Sequence, residues 1–180
     1  MLQNLSHRQD LTLLQRLPAV LALTALTAIA ARITIPLEPV PFTFQVLAVL
    51  LAGMLLGARD GALSQLVYVG LIALNLPLDA RALGAASLAG PTAGYLYGFV
   101  PMAFISGWLI ERGMQRAWQR WLAGVAGVVA LYLCGVAGLM AGTGMEPGAA
   151  WAAGVAPFIV FDLVKAALAA SLLAAGQRLV

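Results

Sequence analysis

Pro157-Phe158-Ile159-Val160-Phe161-Asp162-Leu163-Val164-Lys165-Ala166-Ala167 lies inside a run that is otherwise apolar from Trp151 to Ala175. Crossing a bilayer core takes about 20 predominantly apolar residues, so the run reads as a membrane-spanning helix. Its two charges are then the question. Asp162 and Lys165, the only lysine of the chain, stand three residues apart, and residues at i and i+3 share one face of a helix. A charge at the centre of a lipid-exposed helix costs about 2.5–3.5 kcal/mol, so such residues turn to a cavity, to a partner or to each other. The pair is either an ion pair that pins this helix to a neighbour or the polar floor of a ligand pocket.

The remainder of the chain supports the membrane reading. Apolar residues make up 62% of the 180 residues and charged residues 9%, with a mean hydropathy of +0.95. A soluble domain carries about 25% charged residues, so too little polar surface is left for a water-exposed globule. The net charge is +3, but the basic residues are scattered and no basic patch with interleaved aromatics marks a nucleic-acid binder. Cys134 stands alone in an apolar segment and His7 in a polar leader, which leaves no intrachain disulfide and no metal-ligand cluster. Residues 1–17 are expected to form a retained cytoplasmic amphipathic leader rather than a cleaved signal peptide. Residues 18–180 are expected to form one transmembrane domain.

Six spans are expected, making an all-α integral membrane protein with a compact bundle of six transmembrane helices. They cover about Pro18–Ile35, Phe42–Gly57, Ala62–Leu76, Ala93–Ile110, Trp121–Met140 and Ala149–Ala175. Pro36, Pro39 and Pro41 break the chain between the first two spans. Arg8, Arg16, Arg59, Arg112, Arg116, Arg120 and Arg178 fall on the side of the termini, and only Arg32 and Arg81 on the other. The positive-inside rule therefore puts both termini in the cytoplasm. The Pro-rich outer links read as loops folded over a pocket that opens outward, since irregular backbone at membrane depth must be buried in protein or line a cavity. Gly53 with Gly57, Gly94 with Gly98 and Gly138 with Gly142 are small-residue pairs that let helices approach closely. No inverted repeat of a secondary transporter is evident.

No Walker motif is present, and His7 lies outside the bundle, so the sequence offers neither ATP hydrolysis nor a serine–histidine hydrolase; it is not read as an enzyme. The inventory suits binding. Lys165 and Arg81 can meet a carboxylate, and Asp162 can accept from ligand N–H groups. Thr43, Gln45, Asn75 and Thr92 add neutral hydrogen bonding, and Phe42, Phe44, Tyr95, Tyr97, Trp151 and Phe158 apolar walls. For Phe44, Tyr97 and Trp151 the alternative is an interfacial aromatic belt. A small organic acid with an apolar body and an N–H-bearing head would fit.

Pro39-Val-Pro-Phe-Thr-Phe-Gln45, Leu50-Leu-Ala-Gly-Met-Leu-Leu-Gly57 followed by Arg59 and Gly61, Gly90-Pro-Thr-Ala-Gly-Tyr95, and Asp162-Leu-Val-Lys165-Ala-Ala resemble the biotin-binding S components of energy-coupling-factor (ECF) transporters, the BioY family. The resemblance runs from about Ala22 to Ala175. It implies a multi-pass protein of the bacterial cytoplasmic membrane that captures biotin from the outer side. Uptake would be driven by partners: a transmembrane coupling protein and a pair of ATPase subunits, with ATP hydrolysed there and no cofactor on this chain. Asp162 and Lys165 match the family's polar pair; here the aspartate follows Val160-Phe161 where a Pro-Gly pair is common. Helix 1 offers Thr24-x-x-x-Ala28 and Thr27-x-x-x-Ala31 in place of Ala-x-x-x-Ala pairs. Other readings are an S component for another vitamin, an assembly protein held together by the Asp162–Lys165 pair, and a proton-coupled carrier working through Asp162.

Overall fold

The computed structural model describes residues 13–176; most of the expected leader, with His7 and Arg8, and Arg178 lie outside the described residues. Among the described residues the chain forms α1 (Leu13–Arg32), β1 (Thr34–Ile35), β2 (Phe42–Thr43), α2 (Gln45–Leu56), α3 (Ala58–Ala73), a 3₁₀ turn (Gly84–Leu88), α4 (Ala93–Glu111), α5 (Ala117–Thr143), α6 (Pro147–Gly154) and α7 (Ile159–Gly176). Of these, α4, α5 and α7 are long and apolar enough to cross a membrane, and α2 is a shorter apolar helix.

Seven helices stand where six are expected, because the last predicted span is two. At Val155–Phe158 the ladder fails: Phe158 N–H bonds Val155 O at 2.9 Å instead of Gly154 O. Pro157 explains it, having no N–H to donate and disfavouring helical backbone in the residue before it. Gly154 O is taken up by the Tyr95 hydroxyl at 2.8 Å.

The other boundaries shift for local reasons. The first described helix runs over Leu13–Arg32, with Pro18 inside it. Phe42 and Thr43 are not the start of a helix; they pair antiparallel with Ile35 and Thr34, which folds the proline-rich loop into a small hairpin. The Thr34 hydroxyl donates to Phe42 O at 3.1 Å. The expected turn at Ala58–Gly61 is helical, and Gly57 alone reverses the chain with φ 88°, a conformation that favours glycine. Glu111, at the end of α4, accepts from Ala58 N–H at 2.9 Å and so satisfies one free donor of α3.

The helices are drawn together by small residues. A Cβ on Gly94 would lie 2.3 Å from Cys134 O, and one on Gly53 2.3 Å from Ala103 O, so α4 crosses both α5 and α2 at backbone contact. A polar seam joins α1 to α3: the Thr24 hydroxyl donates to Ser64 O at 2.9 Å, and Gln65 Nε2 to Thr27 Oγ1 at 3.3 Å. Arg16 and Asp60 close the same pair of helices with an ion pair, Nε to Oδ2 at 2.7 Å. Tyr68, Leu50, Ile72, Met102, Leu131 and Leu139 are fully buried. On α7 the polarity runs inside out. Asp162, Lys165, Ala166, Ala169 and Leu173 are buried, while Val160, Phe161, Val164, Leu168 and Leu172 are exposed, as befits a helix with lipid for its solvent.

Candidate functional site

The break between α6 and α7 opens the bundle. The first turns of α7 lie near α2 and α5, and a pocket of about 640 Å³, open mouth included, is lined by residues of these helices and of α4.

Asp162 and Lys165 line it, and both are buried. Lys165 Nζ donates to Asp162 Oδ1 and to Thr43 O, each at 2.8 Å. The ammonium also lies 4.1 Å from the centroid of the Phe42 ring, an attractive placement for a desolvated cation. Asp162 Oδ2 accepts from the Tyr132 hydroxyl at 2.7 Å. The charges are therefore both paired and pocket-facing. Each carboxylate oxygen has a second lone pair, and Lys165 a third proton, left for a ligand.

Gln45, at the start of α2, lines the same pocket, and its amide N–H₂ donates to Tyr68 Oη at 2.8 Å. At the mouth, Arg81 donates to Glu38 Oε2 at 3.0 Å and to Pro39 O at 2.9 Å. It thereby ties the loop after α3 to the hairpin loop across the pocket entrance. Tyr95, Leu96, Phe99, Leu131 and Phe158 form the apolar walls. Tyr95 is fixed by the crossing itself, since a Cβ on Gly135 would fall 2.3 Å from its ring.

Of the residues singled out in the sequence, Thr43, Gln45, Arg81, Thr92, Tyr95, Asp162 and Lys165 all line this one pocket. Phe42 stands behind Lys165 rather than in the lining. Asn75 is elsewhere: its Oδ1 accepts from Ala85 N–H at 3.2 Å, holding the loop after α3 onto the 3₁₀ turn from a positive φ of 65°. Asn reaches that conformation more readily than most residues, so Asn75 shapes the loop and does not line the pocket. Tyr97 and Trp151 are about half exposed and Phe44 somewhat less, on the outside where a belt would be.

Sequence reading missed Tyr132 and Tyr68, whose hydroxyls orient Asp162 and Gln45. It also left Asp79 out of the site. Asp79 is buried in the lining and accepts from Arg81 N–H at 3.1 Å and Gly84 N–H at 2.8 Å. The one signal for Asp79 was an acid in an irregular link between two spans, where an Asp side chain commonly bonds its own backbone two residues on. Among the described residues no group of three or more His, Cys, Asp or Glu side chains could hold a metal ion.

This geometry has close relatives. The biotin transporter BioY of Thermotoga maritima is 44% identical over 148 residues, covering 82% of this chain and 86% of that protein. A probable biotin transporter BioY of Pyrococcus horikoshii is 41% identical over 146 residues, covering 81% and 85%. The biotin transporter BioY of Rhodobacter capsulatus is 40% identical over 139 residues, covering 70% and 73%. The crystal structure of the S-component for biotin from an ECF-type ABC transporter superposes with a TM-score of 0.85 over 94% of this chain and 95% of that one, at 23% identity. The sequence profile of the BioY family matches residues 3–180; the chain belongs to the BioY family.

Proposed function

We propose that the chain captures biotin from the outer side of the bacterial cytoplasmic membrane and serves as the substrate-specific subunit of an ECF-type transporter. The observation that carries the reading is the division of polar groups in the pocket. Two acceptors and a cation, Gln45, Asp162 and Lys165, stand at the floor, and a second cation, Arg81, at the mouth. Biotin carries a cyclic urea with two N–H donors and one C=O acceptor at one end and a carboxylate at the other. The urea would meet Asp162, Lys165 and Gln45, and the carboxylate Arg81, with the apolar rings against Tyr95, Phe99 and Phe158. Family relatives described as biotin transporters support the choice of ligand.

In this reading the chain crosses the membrane six times, α6 and α7 together making the last crossing, with both termini in the cytoplasm. Membrane lipid surrounds the apolar faces. A transmembrane coupling protein and an ATPase pair supply the energy, and the chain itself binds no cofactor and catalyses no reaction.

Thermal unfolding of the detergent-purified protein with biotin, and with thiamine and riboflavin as controls, tests it. A ligand at a thousandfold excess over Kd stabilises the native state by about 4 kcal/mol. An upward shift in Tm with biotin alone is expected. No shift with any of the three vitamins would leave Asp162–Lys165 as a helix-pinning pair only.

A further inference from the structure

The orientation of Gln45 in the pocket is set by a residue that does not line it. A glutamine amide can turn either its oxygen or its N–H₂ toward a ligand, and the two faces select opposite chemistry. Tyr68, fully buried on α3, receives Gln45 Nε2 at 2.8 Å and donates its own proton to Leu78 O at 3.0 Å. A carbonyl only accepts and a phenol has one proton. Once that proton is spent on Leu78 O, Tyr68 Oη can only accept, and Gln45 must put its N–H₂ toward α3. Its Oε1 then has no protein donor among the described residues, and it belongs to a side chain in the pocket lining.

We propose that Tyr68 is a positioning residue for ligand selection, fixing Gln45 so that the pocket presents an oxygen and reads an N–H donor on the substrate. The relay also ends at Leu78, next to Asp79, Ala80 and Arg81 of the mouth, so the donor-reading group and the entrance loop share one hydrogen-bonded chain. This rests on the biotin reading above.

The experiment measures dissociation constants of biotin and of its two mono-N-methylated urea derivatives for the wild type, Tyr68→Phe and Gln45→Met, with the Tm of each protein. Loss of one such bond corresponds to about three- to tenfold in affinity. Tyr68→Phe is expected to weaken biotin by about that factor and to leave unchanged the affinity of the derivative that lacks the N–H facing Gln45. The steric cost of the methyl group cancels in this comparison. A purely structural tyrosine would lower Tm and weaken all three ligands alike, which overturns the proposal. Gln45→Met removes the acceptor while keeping the volume, and should give the same selective loss even if Tyr68→Phe does not fold. Two-dimensional NMR of protein labelled with ¹⁵N-glutamine gives a ligand-free readout. The Gln45 side-chain N–H₂ resonances should be protected from exchange in the wild type and lose that protection in Tyr68→Phe. If biotin fails to bind the wild type, the functional reading falls; if the Gln45 resonances also ignore Tyr68→Phe, the positioning role falls with it.

Discussion

Lys165 is held by a carboxylate, a backbone carbonyl and an aromatic face, and each contact carries a consequence for substitution. Removing the cation leaves Asp162 buried with only the Tyr132 hydroxyl, and breaking a buried pair in this way costs about 3–5 kcal/mol. Lys165→Ala should therefore lower Tm and abolish biotin binding together, which by itself does not separate stability from function. Asp162→Asn with Lys165→Met does. The pair is replaced by groups that can be buried without a countercharge, so most of the lost stability should return while binding does not. Binding at wild-type affinity by that double variant would sink the site assignment. These two residues were legible in the sequence because a charge within an apolar run has few explanations. Tyr132 and Tyr68 were not, since a tyrosine in a membrane helix reads as apolar surface or belt. Their roles depend on what the neighbouring helix brings within 3 Å of the hydroxyl.

At the scale of elements, the bundle is set by where backbones touch and where the ladder breaks. Gly94 faces Cys134 O and the Gly138 backbone, so a methyl group there meets peptide atoms that have no rotamer to yield. Gly142, one turn along α5, would place its Cβ no nearer than 3.7 Å to any neighbour. Gly94→Ala is accordingly expected to destabilise by about 1–3 kcal/mol through overpacking, and Gly142→Ala to have little effect; thermal unfolding of the two variants compares them directly. Equal changes in Tm would mean that backbone contact does not govern the crossing. The small-residue spacing announced both glycines alike and could not say which of them meets a neighbour. The α6–α7 break has a similar history. Pro157 was visible, but a hydropathy reading averages over it, and the break is completed only by Tyr95 reaching Gly154 O from another helix. The start of α3 was misplaced because a distant group, Glu111, supplies the partner of Ala58 N–H.

For the molecule as a whole, the proposed function depends on which way the pocket mouth faces. Arg81, Glu38 and Pro39 join the two loops at the entrance, while Arg16, Arg59, Arg112 and Arg116 lie at helix ends on the other side of the proposed topology. Arginine and lysine concentrate on cytoplasmic loops, and the proposed topology therefore has the mouth facing outward. Cysteine labelling can test this because Cys134 is the one native thiol. In a Cys134→Ala background, single variants Ala86→Cys and Ala149→Cys probe the mouth side, and Ala117→Cys and Gly176→Cys the opposite side; all four positions are exposed. A membrane-impermeant maleimide added to intact cells is expected to label the first two, and the second two only after permeabilisation. Saturating biotin should slow labelling near the mouth at Ala86→Cys more than at Ala149→Cys, because the outer loop carries both Ala86 and the Arg81 that would hold the carboxylate. The reverse sidedness would open the pocket to the cytoplasm. Capture from outside would then be untenable, whatever the affinity for biotin in detergent.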